Sequence, residues 1–205
     1  MLITEPTAIE KRSMEIIESE LKTALSAETK DIVKRVIHCT ADFDYAENLK
    51  FSDGVVEKAR KALAAGCDII TDTQMAKAGI NKAAAAKLGC GIYCFMSDPD
   101  VAEKAKERGV TRAAAAVEKA ADMGDGAIFV VGNAPTALIA ISELVASGGL
   151  RPAAVIGVPV GFVNVIESKQ ALTGCGADYI VSLGRKGGSN VAASIVNALM
   201  YGITR

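Results

Sequence analysis

The 205-residue chain predicts an α/β fold in three layers, with helices on both faces of a mostly parallel central sheet, as a single domain over residues 1–205. Three observations predict it. Short β-branched runs alternate with alanine-rich helical stretches along nearly the whole sequence. The runs, such as 127–131 and 153–158, are apolar without strict alternation, the pattern of strands covered on both faces. No linker or shift in composition interrupts the chain. A globule of this length, with a radius of gyration of about 17 Å, buries roughly 70% of its unfolded surface.

The elements follow in order. A helix is expected over 9–25, where Ile9, Met14, Ile16, Ile17, Leu21 and Leu25 fall near a 3.6 period. The β-branched run 32–37 reads as the first strand and ends at His38. Ser52-Asp53-Gly54 turns into a helix over 55–65, and Gly66 precedes a strand at 68–71. A helix over 82–88 leads through Gly89 and Gly91 to a strand at 92–95. Ser97-Asp98-Pro99 places a capping residue before proline, which starts a helix that Gly109 stops. Thr111 caps the next helix, which runs to Met123. Gly124-Asp125-Gly126 turns into the strand 127–131, and Pro135 opens a helix to Ala146. A strand at 153–158, a helix over 162–172, a strand at 179–183 and a last helix over 189–200 complete the series. Alanines at 83–86, 113–116, 192 and 193 permit close helix approach and suit a subunit interface.

Composition excludes several classes. With 50% hydrophobic and 23% charged residues the chain is not disordered. A net charge of −1 is not that of a general nucleic-acid or anionic-membrane binder, and aromatics at 4% without tryptophan deny stacking platforms for single strands. No apolar run reaches the ~20 residues that span a bilayer. The N-terminus has no basic stretch followed by an apolar one, so no signal peptide is read and a cytoplasmic location is expected. Five cysteines without a C-x-x-C pair read as buried, reduced thiols. A single histidine, His38, leaves no room for a multi-histidine metal centre, and no metal is expected.

Ligands of open α/β sheets collect beyond the carboxyl ends of the strands. Read that way, the exits carry His38, Thr40 and Asp42; Thr71, Asp72 and Thr73; Met96, Ser97 and Asp98; then three glycine-rich loops, 132–136, 157–164 and 184–190. His38 is the one group there that titrates near neutrality, yet a lone histidine also serves as a hydrogen-bonded structural residue. Gly132-Asn133-Ala134-Pro135-Thr136 reads either as a site or as a plain strand-to-helix turn. Gly184-Arg185-Lys186-Gly187-Gly188-Ser189 sets two cations before a helix start and favours an anion over a merely solvated loop. The pairs Asp42/Asp44 and Asp68/Asp72 read as caps rather than metal ligands, and Cys175 as a turn or buried thiol. Neither a phosphate-binding P-loop nor a G-x-G-x-x-G fingerprint occurs, which counts against a nucleotide-dependent enzyme.

Taken together, Val36-Ile37-His38 with Asp42, the 132–138 loop, Gly157-Val158-Pro159-Val160-Gly161-Phe162-Val163 with Glu167-Ser168-Lys169, and the 184–189 loop resemble the precorrin-8X methylmutase family, also called cobalt-precorrin-8 methylmutases. Residues 9–14 and Thr111-Arg112 fit as well, so the resemblance spans the chain in order. It implies a cobalamin-pathway isomerase that moves a methyl group from C-11 to C-12 of a corrin-type macrocycle. The product is hydrogenobyrinate, or cobyrinate when cobalt is present. It also implies a homodimer, and neither a redox cofactor nor S-adenosylmethionine. A polycarboxylate disc calls for arginine forks at its rim and a proton donor over its face. The resemblance points to His38 as general acid and to Arg12, Ser13, Arg112, Asn133, Thr136, Arg185 and Lys186 as substrate-binding residues. The alternative from another class is a non-catalytic carrier of tetrapyrrole intermediates.

Overall fold

The computed structural model describes residues 2–204. Strands β1 (Leu49–Phe51), β2 (Ile69–Thr71), β3 (Ile92–Tyr93), β4 (Ile128–Val131), β5 (Ala154–Gly157) and β6 (Tyr179–Ser182) form one sheet in the order β1-β6-β5-β4-β2-β3. Five strands run parallel, and the edge strand β1 pairs antiparallel with β6, Leu49 opposite Ser182. Along β4, Ile128 and Val130 enter one core while Phe129 and Val131 enter the other. Both faces are apolar, which is why these strands read as unbroken runs.

One face is covered by α2 (Lys30–Thr40), α4 (Val55–Ala64), α6 (Lys82–Leu88) and α11 (Ser189–Thr204). The other is covered by α8 (Arg112–Ala121), α9 (Pro135–Ala146) and α10 (Val165–Gly174), with α7 (Pro99–Arg108) packed on α8. The helix α1 (Pro6–Glu20) lies on α2, where Glu18 pairs with Lys30 and Lys34, and Glu10 with Arg35. Two short helices, α3 (Tyr45–Asn48) and α5 (Gln74–Gly79), complete the set. The α/β sandwich expected from sequence is thus present. Its chain path reverses between β2 and β4: β3 lies on one side of β2, and β4 to β6 run away on the other. This is the topological switch point at which α/β folds place ligands.

The largest departure from the sequence reading is at 32–37, which is helix α2 and not a strand. As a strand, each face would carry a cation between apolar neighbours: Ile32-Lys34-Val36 on one, Val33-Arg35-Ile37 on the other. As a helix, Ile32, Val33, Val36 and Ile37 share one buried face. Burial of that stripe outweighs the β-propensity of its residues. His38 therefore stands in the last turn of a helix, not at a strand exit, and Ala41 ends the helix at φ 53°. Helix α1 stops at Glu20 rather than 25, because Leu21 turns extended; Leu21 and Leu25 pack on the core from a non-helical segment. Helix α10 begins at Val165, since Gly161 and Asn164 both adopt positive φ. Asp98 holds the cap position of α7, but its carboxylate turns to Lys119 at 2.7 Å. The reading of every cysteine as buried is also corrected: Cys90 and Cys94 are buried, Cys67 and Cys175 half-buried, and Cys39 exposed. Of the alanines, Ala84, Ala85, Ala113, Ala115, Ala116, Ala192 and Ala193 are buried and pack the chain's own layers, Ala114 is half-buried, and Ala83 and Ala86 are exposed.

Candidate active site at the carboxyl ends of the strands

The switch point is closed by Asp72, which follows β2. Its buried carboxylate accepts the amide N–H groups of Gly132, Asn133 and Ala134 at 2.9, 2.8 and 2.7 Å. Burial pushes this carboxyl above its ordinary range, and the three amides oppose that push. The loop leaving β4 is thereby fixed to the end of β2. Thr73 and Ser189 hydroxyls meet at 2.8 Å across the same crevice and tie in the start of α11. Gly132 has no alternative here, because a Cβ would lie 2.7 Å from the Ser189 Cα. The Thr111 hydroxyl donates to that of Thr136 at 2.8 Å, which joins the start of α8, and so Arg112, to the start of α9.

The loops leaving β5 and β6 are stitched to each other. Gly161 N–H donates to the Arg185 carbonyl at 3.2 Å, and Gly188 N–H to the Val158 carbonyl at 2.9 Å. The guanidinium of Arg185 lies 5.4 Å from the ring centre of Phe162, itself 82% exposed. Lys186 reaches the other way: its ammonium donates to Asp42 and Asp44, at 2.6 Å each. Lys186 holds the Asp42 carboxyl below its usual range, and the two carboxylates raise Lys186 in turn. The side chain of Asn190 contacts the Cys39 sulfur at 3.7 Å. By these contacts the end of α2, with the exposed His38, is held against the 184–190 loop.

Six of the eight residues expected from sequence lie on these elements. The segment that follows His38 is tied by Asp42 and Asp44 to Lys186, next to Arg185; Asn133 belongs to the Asp72 cradle; Arg112 follows Thr111, whose hydroxyl bonds Thr136. Arg12 instead pairs with Glu15 at 3.2 Å on α1, where the eighth residue, Ser13, donates to the Ile9 carbonyl. Among the described residues no hydrogen bond or ion pair joins those two to the other six. The cation of Lys186 is already balanced by two carboxylates, which leaves Arg185 the freer charge of its loop. A groove of about 650 Å³ opens beside Asp44, but Glu20, Asp44 and Glu47 line it against Lys22 alone, a poor match for a polyanion. Among the described residues, no group of three or more His, Cys, Asp or Glu side chains converges on a metal-sized point.

Two residues that stand in the sequence motifs without an assigned role organise the site, Phe162 and Lys169. Lys169 is 1% exposed, and its ammonium donates to the carbonyls of Gly184 and Lys186 at 2.8 and 2.9 Å. Burial lowers it from 10.5 to about 8. The folded protein therefore binds this proton less tightly than the unfolded chain does. Between about pH 8 and 10.5 unfolding takes up a proton, so stability rises with pH by as much as about 3 kcal/mol across that window. Urea midpoints of the protein and of Lys169→Met, followed from pH 7 upward, check this. The difference between them is expected to move in favour of the unsubstituted protein above pH 8, while the other lysines cancel.

A single mostly parallel sheet, a cradled switch-point loop and two stitched glycine-rich loops set the frame for comparison. The family model described as CbiC, precorrin-8X methylmutase, matches residues 8–202. The cobalt-precorrin-8 methylmutase of Salmonella typhimurium is 45% identical, over 97% of this chain and 96% of that one. The precorrin-8X methylmutase of Pseudomonas aeruginosa is 37% identical over 96% of each. The crystal structure of precorrin-8X methylmutase from Thermus thermophilus superposes with a TM-score of 0.88 at 40% identity, covering 95% of this chain and 96% of that one. The protein is thus an α/β isomerase, a methylmutase of cobalamin biosynthesis. Within that class, the chain belongs to the precorrin-8X methylmutase family. Among the described residues, no helix is long and apolar enough to cross a membrane.

Proposed function

We propose that this protein converts precorrin-8X or its cobalt form by moving a methyl group from C-11 to C-12, with His38 as general acid. The observation that carries the reading is the junction of the α2 end with the 184–190 loop, where Lys186 pairs with Asp42 and Asp44 just beyond His38 and Asn190 contacts Cys39 beside it. The macrocycle brings several carboxylates and a broad apolar face. Arg185, Arg112 and Arg12 supply forks for the rim. Lys186, held by Asp42 and Asp44, contributes as a hydrogen-bond donor at the edge of the same loop, and Ser13, Asn133 and Thr136 supply further hydrogen-bonding groups. The exposed Phe162 ring, backed by the Arg185 guanidinium, offers an apolar plate.

His38 lends a proton to a ring nitrogen, which draws electron density from the conjugated system. The methyl group leaves C-11 and bonds to C-12 within the same molecule. The proton then leaves the ring, so the reaction is balanced without a redox partner or an external methyl donor. The protein acts in the cytoplasm, and as a homodimer for which the exposed Val160, Phe162 and Val163 offer apolar area to a second copy.

The test is spectroscopic. Purified protein mixed with precorrin-8X, or with its cobalt form, is expected to give the absorption spectrum of the rearranged corrin with no added cofactor. Recovery of the ligand with its spectrum unchanged would mark a carrier and end the catalytic reading.

A further inference from the structure

Lys169 presents a problem in energetics. Its ammonium is buried, and among the described residues no carboxylate pairs with it; its hydrogen bonds go to the carbonyls of Gly184 and Lys186 alone. An unpaired buried cation is costly, and an apolar side chain of similar length would fill the same space more cheaply. What the cation does hold is specific. The two carbonyls bracket Arg185. The carbonyl of Lys186 also accepts from the buried Ser182 hydroxyl at 2.9 Å, and the carbonyl of Arg185 from Gly161 N–H at 3.2 Å. Three successive carbonyls of the loop are therefore fixed from the protein side. The side chains of Arg185 and Lys186 project outward, one over Phe162 and one onto Asp42 and Asp44.

We propose that Lys169 is a positioning residue: it clamps the 184–186 loop so that Arg185 is presented to a rim carboxylate of the substrate, and through Lys186 it steadies the 42–44 segment beyond His38. The inference rests on the reading above that Arg185 binds that carboxylate. Lys169 does not touch the substrate, and its effect reaches the reaction through the loop.

Lys169→Met removes both donors while keeping the stem. Hydrogen exchange of the amides at 184–188 in the unliganded protein is expected to rise about 10-fold, the scale of one lost hydrogen bond, with the amides of α8 and α9 unchanged. With precorrin-8X as substrate, KM is expected to rise roughly 10-fold and kcat to change less. Lys169→Gln, which can still donate to one carbonyl, is expected to fall between. Should Lys169→Met fail to fold, Ser182→Ala removes the second donor on the Lys186 carbonyl and is expected to shift exchange and KM in the same direction by a smaller factor. Unchanged loop exchange in these variants overturns the proposal. So does a loosened loop with unchanged KM, provided Arg185→Ala raises KM, in which case the binding reading survives. If Arg185→Ala leaves KM unchanged, the binding reading itself fails and the proposal goes with it.

Discussion

His38→Ala is expected to lower turnover of precorrin-8X by about 10²–10⁴-fold, the usual worth of a general acid. Fold and substrate affinity are expected to survive. The ring is exposed in the last turn of α2, and among the described residues it makes no hydrogen bond that folding would lose. The buried face of that helix, Ile32, Val33, Val36 and Ile37, is untouched by the change. The substitution thus removes a proton source and little else. Stopped spectra with the variant should show bound, unrearranged substrate, and the melting temperature should stay within a degree or two of the parent, as for other exposed positions. Imidazole added to the buffer is expected to restore part of the rate, because the missing group is small and its place opens to solvent. Full activity in His38→Ala, with folding intact, would remove the acid role.

Much of this architecture was legible from residues alone, and the failures have physical causes. The strands β4, β5 and β6 stand out because both of their faces are buried, and Thr111 caps α8 by accepting from Ala114 N–H as its position suggests. The run 32–37 misled because β-branched residues favour strands only when packing agrees. Here pairs of apolar residues separated by Lys34 and Arg35 spell a helical stripe. Strand β1 escaped because three residues with one buried, one exposed and one half-buried side chain carry almost no periodic signal. The site itself was legible as loop chemistry. The glycine-rich segments 132–136 and 184–190 do lie at strand exits. What no local pattern reveals is which distant groups hold those loops. Asp72 and Gly132 are 60 positions apart, and Lys186 and Asp42 are 144 apart. Lys169 offered one signal that went unused: a cation in the first half of an otherwise buried helix face, between Val165, Ser168 and Leu172.

Asp72→Ala is expected to be the most destabilising single change in the site. The carboxylate satisfies three successive amides, and that of Gly132 is buried, where water cannot replace the lost acceptor. Hydrogen bonds to a charged group are worth about 1.5–3 kcal/mol each, and an orphaned buried donor costs a further fraction of that. Since Asn133 is exposed and can turn to solvent, the three do not add in full, and a loss of about 2–5 kcal/mol is expected. For a chain of this size that corresponds to a fall in Tm of roughly 5–15 °C. Asp72→Asn is expected to lose less, because one carbonyl oxygen still accepts while its NH2 group faces an N–H that it cannot satisfy. The order parent, Asn, Ala in calorimetric Tm is therefore the signature of the cradle. The same loop carries Asn133 and leads into Thr136, so binding should weaken along with stability: KM for precorrin-8X is expected to rise in the same order, even in the Asn variant at temperatures where it is fully folded. A Tm for Asp72→Ala equal to the parent's would mean that the Thr73–Ser189 contact and the packing of Gly132 on α11 hold the switch-point loop unaided.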